Sequence, residues 1–370
     1  MTPVPSPPAL VTGSAQAFPP VVRQRDLWDR YFGPLLGEDR WAERVFMHAG
    51  VERRHCVVDP AVEDVSGWST AARMRRYADE GTALAKAAVA GALDDAGLTP
   101  DRVGLLAVVS CTGYAAPGID IRVAADLGFS PGTERLLLGH MGCHAAIPAL
   151  GTVADRARAR GSVAVLLCLE LTSLHLQPDL ARPAAGAAPT RGFDLDQLVS
   201  HALFGDAAAA VVVEPAGTPR LAAGQLRLLD IAARSDLASA DHMTWEVTDY
   251  GFRMGLSRRV PDILARHVAP LVDELCRRNG RDPAAVAAWA VHPGGPRVLD
   301  VVADRLGLPA GALESSREVL AEHGNCSSAT VLVVLDRLRC SGSLQAGQTV
   351  VALAFGPGLT LYAALLEVTA

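Results

Sequence analysis

Three uninterrupted apolar stretches constrain this chain most: VGLLAVVS at 103–110, SVAVLLCLE at 162–170 and AAAAVVV at 207–213. Apolar residues at nearly every position, without alternation, suit strands covered on both faces. Such strands need helices packed above and below the sheet. The intervening segments supply them. Residues 80–97 are alanine-rich, with Gly97 placed to end a helix, and residues 143–160 read as a second long helix. Shorter segments fit the same scheme, with strands at 10–18 and 135–138 and helices at 28–43 and 121–127. Buried strands alternating with helices predict a layered α/β architecture.

The second half repeats the logic. Extended stretches at 221–233 and 243–254 precede a helix at 260–279, a strand at 286–291 and a helix at 326–339. Two strands, 349–355 and 359–365, flank a Gly-Pro-Gly turn, while the Ala/Pro/Gly-rich segment 178–195 reads as a loop. At ~150 residues per domain, a length of 370 fits two similar halves. With half its residues hydrophobic and 5% aromatic, the chain should fill its core with Ala, Val and Leu.

Charge excludes some functions. Lys plus Arg is 34 against 40 Asp plus Glu, a net charge of −6, which argues against a non-specific nucleic-acid binder. The seven cysteines form no CxxC or similar metal spacing, and a chain this long does not need a disulfide framework, so reduced thiols and no metal site are expected. No apolar run reaches ~18 residues, and the first 20 residues lack the charged and apolar regions of a signal peptide. A soluble, cytoplasmic protein is expected.

Three residues beside glycine form a chemically coherent set. Cys143, in GHMGCHAAIPAL, would sit in the first turn of a helix, where free N–H groups and the helix dipole favour a thiolate. His292, in WAVHPGGPRVLD, ends a strand and opens into a Pro-Gly-Gly turn. Asn325, in EHGNCSSATV, follows Gly324; it or Ser327 would also serve as a helix cap. Each alone reads better as a structural residue. Together they supply a nucleophile, a base or oxyanion donor, and an amide donor. The order Cys, His, Asn is also that of papain-like cysteine hydrolases, although no CGSCW-type signature occurs.

The strings GHMGCHAAIPAL, HALFGDAAAA, WAVHPGGPRVLD, HGNCSSATV and AFGPGLT resemble the chalcone-synthase-like type III polyketide synthases, collinearly from about residue 10 to the end. The resemblance implies a thiolase fold of five layers (αβαβα) built from two duplicated halves, 1–215 with the cysteine and 216–370 with the histidine and asparagine. It also implies a homodimer. Cys143 would carry the acyl chain, and His292 and Asn325 would complete a triad. Phe204 and Phe252 would be gatekeepers of the cavity.

Cys111, in SCTGYAAPG, falls where bacterial tetrahydroxynaphthalene synthases also carry a cysteine. CLELTSLHLQP, with Thr172 and His175, looks more like actinobacterial enzymes making alkylpyrones or alkylresorcinols from fatty acyl starters. Met243 and Ser327 would face the substrate, and Ala115, Ala116 and Thr172 would keep the cavity roomy. Arg53 and Arg54 lie near the family's basic segment for the CoA phosphates. The substrates would be an acyl-CoA or acyl-carrier-protein starter and malonyl-CoA, with no resident cofactor. A ketoacyl-carrier-protein synthase is the sister reading, and a cysteine hydrolase the reading from a different class.

Overall fold

The computed structural model describes residues 8–177, 194–217 and 224–370. The loop expected over 178–195 therefore lies almost wholly outside the described residues. Thirteen strands are described. They are β1 (Ala9–Ala17), β2 (Val21–Arg23), β3 (Arg53–His55), β4 (Val103–Ser110), β5 (Glu134–Gly139), β6 (Val163–Glu170), β7 (Ala207–Pro215), β8 (Leu226–Ser235), β9 (Met243–Thr248), β10 (Gly251–Leu256), β11 (Ala288–Val291), β12 (Thr349–Gly356) and β13 (Thr360–Val368). The α-helices are α1 (Gln24–Leu27), α2 (Gly33–Leu35), α3 (Arg40–Met47), α4 (Thr70–Asp95), α5 (Ile119–Leu127), α6 (Ala146–Arg160), α7 (Leu195–Leu203), α8 (Val260–Arg278), α9 (Pro296–Leu306), α10 (Glu314–His323) and α11 (Ala329–Cys340).

Nine strands join in the order β11-β12-β13-β8-β1-β7-β6-β4-β5. The junction between halves is thin. β1 meets β8 only through Ala9–Val11 and Leu226–Leu228, whereas β1 pairs with β7 along its whole length. The sheet is thus two sheets sharing one corner. Between them lie α6 and α11, sealed in a common core of Ala, Val and Leu side chains. α4 covers the outer face of the first sheet and α8 and α9 that of the second. The result is the five-layered αβαβα thiolase fold.

Small residues make these layers close. A Cβ at Gly13 of β1 would stand 2.3 Å from the carbonyl oxygen of Ala92, so α4 lies almost backbone-to-backbone on its strand. Burying a Val or Leu side chain is worth about 1.5–3 kcal/mol. β4, β6 and β7 bury almost every residue, which is what their unbroken apolar sequences require.

Four expected boundaries shift. The helix at 28–43 is interrupted between α2 and α3, where Gly37 and Glu38 take positive φ and Asp39 caps α3 through Trp41 and Ala42 N–H groups. α4 begins ten residues before the expected start, with Ser69 as its N-cap. α6 begins at Ala146 and α11 at Ala329, so Cys143 and Cys326 lie in the turns that lead into them.

Candidate active site

The parallel strands β4, β5 and β6 end together at Ser110, Gly139 and Glu170. The chain leaving β5 passes through His140 and Gly142, both at positive φ, and reaches Cys143. Gly142 is required twice over. Its φ is +82°, and a Cβ there would lie 2.5 Å from Pro357 of the Gly356-Pro357-Gly358 turn. Gly356 in turn lets that turn approach the Cys143 backbone, since a Cβ would meet Cys143 N at 3.2 Å. The β12–β13 turn of the second half therefore packs directly onto the Cys143 segment of the first.

Asn325 is placed by backbone pairing. Its N–H donates to Leu203 O at 2.8 Å, and its carbonyl accepts from Gly205 N at 3.0 Å, a short parallel bridge that also fixes Phe204. The Asn325 Oδ1 accepts from Ser327 N at 2.9 Å, so the amide presents its NH2 to Cys143, with which it hydrogen-bonds. The residue at the N-cap position of α11 is Ser328, without a side-chain cap bond, rather than Asn325 or Ser327. Ser327, held at a φ of +48°, hydrogen-bonds both Cys143 and, at 3.3 Å, Cys111. His292 follows β11, its N–H donating to Leu353 O at 2.7 Å, and its ring stands edge-on to Phe355. Its Nδ1 is sealed from solvent and has no hydrogen-bond partner among the described residues.

Cys143, His292 and Asn325 line one cavity of about 290 Å³. Its walls are mostly apolar, including Val45, Leu195, Val199, Phe204, Met243, Met254 and Phe355. Arg258, Arg297 and His48 lie on its lining and are exposed, which marks its mouth. Phe204 and Met254 also line a second space of only about 30 Å³ and so form the partition between the two. His175, Trp245 and Phe252 fill that inner side. His175 stacks on Phe252 at 4.4 Å, and Trp245 meets both rings edge-on. The His175 Nε2–H donates to Thr112 O at 2.6 Å while Nδ1 accepts from Phe252 N at 3.0 Å, so backbone groups lock this ring in place. Thr172 lines the same small space, its hydroxyl held by Gly205 O and Asp206.

Electrostatics correct one expectation. Cys143 is not in the first turn of α6 but three residues ahead of it. Burial pushes its thiol up to about 12, and the hydrogen bonds from Ser327 and Asn325 oppose that only in part. Burial, with His144 adding, holds His292 down to about 3. Burial thus favours the neutral form of both groups.

Other expectations also change. Arg54 is 2% exposed and lines the smaller inner space rather than the cavity that holds Cys143. Its guanidinium donates to the carbonyls of His201, Ala202 and Phe204 and to Gln24, and so clamps the end of α7. Arg53, next to it in a strand, points outward, 3.9 Å from Glu322, and lines neither cavity. Cys111 lines neither cavity; its Sγ faces Glu170, which also binds Thr112 and Ser328. Ser327 reaches the site through its hydrogen bonds rather than through either lining. Ala115 and Ala116 lie outside both linings. Phe252 stands behind the partition, not at the mouth. Trp245, Met254, Arg258 and Arg297 went unnoticed in the sequence.

Sequence profiles of the family described as chalcone and stilbene synthases match the chain twice, the N-terminal domain at residues 8–217 and the C-terminal domain at 229–369. A 1,3,6,8-tetrahydroxynaphthalene synthase of Streptomyces peucetius subsp. caesius is 36% identical over 327 residues, covering 87% of this chain and 82% of the relative. The alpha-pyrone synthesis polyketide synthase-like protein Pks18 of Mycobacterium tuberculosis is 31% identical over 378 residues, covering 98% and 93%. The crystal structure of PKS-I from the brown alga Ectocarpus siliculosus superposes with a TM-score of 0.88 at 26% identity, over 99% of this chain and 100% of that one. The type III polyketide synthase domain of Steely1 from Dictyostelium shares the fold, with a TM-score of 0.88 at 24% identity over 98% and 100%. With both family domains matched in order and relatives aligned over most of their length, the chain belongs to the chalcone and stilbene synthase family and is a type III polyketide synthase, an acyltransferase.

Proposed function

We propose that Cys143 carries the growing acyl chain, with His292 and Asn325 as its catalytic partners. The observation carrying this reading is that the three line one apolar cavity that also reaches the exposed side chains of Arg258 and Arg297. Cys143 Sγ attacks the starter thioester, its proton passes to His292, and the CoA thiolate leaves. Malonyl-CoA then loses CO2. Its enolate oxygen accepts hydrogen bonds from His292 and the Asn325 amide. The nucleophilic carbon attacks the acyl–Cys143 carbonyl, the C–S bond breaks, and the thiolate is regenerated. The apolar walls keep water from the thioester and the enolate. CoA thioesters serve as substrates, with no resident cofactor or metal. Arg258 and Arg297 receive the phosphates at the mouth in place of Arg53 and Arg54.

The starter is an aliphatic acyl chain, and the product is of alkylpyrone or alkylresorcinol type. The long apolar lining supports the first part. The small space behind Phe204, filled by His175, Trp245 and Phe252, supports few extensions. A malonyl-primed tetrahydroxynaphthalene is the competing product, favoured by the Streptomyces relative and by Cys111. Mass spectrometry of products decides between them. An aliphatic panel with malonyl-CoA should yield extended pyrones, whereas efficient formation of an aromatic pentaketide from malonyl-CoA alone would overturn the aliphatic assignment.

The active unit is a homodimer. β5 is the outermost strand of its sheet and carries Leu137, 51% exposed. An open, apolar edge invites a second copy to continue the sheet. No described helix is long and apolar enough to cross a membrane. The reaction takes place where malonyl-CoA is made, in the cytoplasm.

A further inference from the structure

The turn that carries Cys143 is held only weakly by its own residues. His140 and Gly142 both take positive φ, 58° and 82°, and for a histidine that conformation is disfavoured. The N-cap position of α6 is Ala145, which has no polar side chain to hold the helix start. Within the turn, Ala145 N donates to Gly142 O at 3.0 Å and Ile147 N to His144 O at 3.1 Å. The side chain that ties this turn to the rest of the fold is His144, the residue after Cys143. It is 4% exposed and lines neither cavity. Its ring lies flat against Tyr362 of β13, with centroids 5.3 Å apart and planes 12° from parallel. The same residue meets the end of β12: a Cβ at Gly356 would stand 2.7 Å from His144 Nδ1 and 3.3 Å from its backbone N. Tyr362 is the register partner of Ala354, so one hairpin, β12–β13, supplies both contacts. Burial holds the His144 imidazole down to about 4 and so favours the neutral ring in this slot.

We propose that His144 is a positioning residue for Cys143: its ring, wedged between Tyr362 and Gly356, fixes the turn that carries the thiol. The inference rests on the acyl-transfer reading above. His144 lies outside both linings, so it acts through the backbone of its neighbour rather than on substrate. Cys143 has to face the cavity and at the same time meet Ser327 and Asn325, which come from the turn before α11. A turn free to relax loses that double alignment, and misplacing a reacting group by about 1 Å costs on the order of 100-fold in rate. Aromatic pairs keep preferred relative orientations, so the stack on Tyr362 fixes direction as well as distance. The absence of a side chain at Gly356 leaves the space in which the ring sits.

The test follows loading of Cys143 by octanoyl-CoA with intact-protein mass spectrometry over a range of concentrations. His144→Ala should lower the maximal loading rate by ~10–100-fold and leave the half-saturating concentration within about twofold, because Arg258 and Arg297 at the mouth are untouched. His144→Phe keeps a stacked ring and should return the maximal rate to within about threefold of wild type. Tyr362→Leu removes the stack from the other side and should show the same split between rate and half-saturation. Unchanged maximal loading in His144→Ala or in Tyr362→Leu would overturn the proposal. A His144→Phe protein as slow as His144→Ala would overturn it too, by assigning the effect to the ring nitrogens. So would a half-saturating concentration that rises in parallel, the mark of a general loss of structure. If octanoyl-CoA does not load wild-type Cys143, the acyl-transfer reading loses its support, and alkylation of Cys143 by iodoacetamide still decides the positioning. That rate should fall by ~10-fold in His144→Ala and recover in His144→Phe; an unchanged rate in His144→Ala would overturn the proposal by itself.

Discussion

Two turns lead into the two central helices, and each places a cysteine three residues ahead of its helix: Cys143 before α6 and Cys326 before α11. Both thiols are buried, and burial raises both. Their surroundings differ. Cys143 borders the cavity and receives hydrogen bonds from Ser327 and Asn325, both contributed by the opposite turn. Cys326 points away from the cavity, with its Sγ 3.4 Å from His323 O and with the Asp206 carboxylate raising its thiol further. A duplicated architecture thus offers two equivalent positions. What distinguishes them is the polar donors that the other half supplies, so the surroundings of Cys143 are a property of the pair of halves.

The sharpest way to break that comparison is to remove each thiol. Cys143→Ala should abolish product formation, by on the order of 10⁴-fold or more, because no other group takes over the covalent step. Cys326→Ala should leave turnover within about threefold, since it removes one small side chain from a packed turn. Acylated-peptide mapping after incubation with an acyl-CoA checks both. An acyl label on Cys326 or Cys111 would dissolve the distinction.

The next effect comes from the donors that cross between the turns. Asn325→Ala removes one oxyanion donor while leaving the Leu203 and Gly205 backbone bridge available. Malonyl-CoA decarboxylation, measured without a starter, should fall by ~10²–10³-fold. Unchanged decarboxylation would reduce Asn325 to a residue that shapes the α11 turn.

A smaller effect is the pH dependence of Cys143 alkylation by iodoacetamide. His292 has a folded value near 3, so it is neutral across the working range, and the thiol is held near 12 by burial. On the proposed mechanism the thiol proton passes to His292 as the sulfur attacks, which lets alkylation proceed below the thiol's own value. In His292→Gln that acceptor is gone, so the inflection of the alkylation rate should move to higher pH. At pH 8 the rate should drop by about tenfold, as when the inflection rises by about one on the pH scale. An inflection that stays in place would mean that the hydrogen bonds from Ser327 and Asn325 alone activate the thiol.

Much of this was legible in the sequence where physical rules act locally. Unbroken apolar runs became strands buried on both faces, and Gly142 and Gly324 marked the turns that present Cys143 and Asn325. Other features depended on alternation or distance. Arg53 and Arg54 are adjacent in β3, and a strand must send one outward and one inward; two identical residues give no cue as to which. Arg54 turned inward because the end of α7 offers it carbonyl oxygens, 147 to 150 positions away in sequence. Trp245 and Met254 sit in a hairpin whose short strands carry little apolar signal, so their pairing and the meeting of Trp245 with His175 were invisible until β9 and β10 paired. The start of α4 was missed because its first turns are rich in arginine, although Ser69 was there to cap it.

The smallest expected effect concerns the cavity wall, and it separates the two sides of the Phe204 partition. Met243 lines the larger cavity and is 8% exposed. Its flexible, unbranched side chain fills space without fixing it. Met243→Ala should lengthen the apolar room beside Cys143, so a starter longer by one CH2 gains burial worth ~0.8 kcal/mol, about fourfold in kcat/KM. His175→Ala should act on the inner side instead, because that ring is locked to Thr112 O and Phe252 N behind the partition. There the expected outcome is an additional malonyl extension with little change in starter preference. Competition between acyl-CoA starters of graded length, read together with product mass, measures both variants at once. If Met243→Ala changes extension number, or His175→Ala changes starter length, then Phe204 and Met254 do not divide the cavity into a starter side and an extension side.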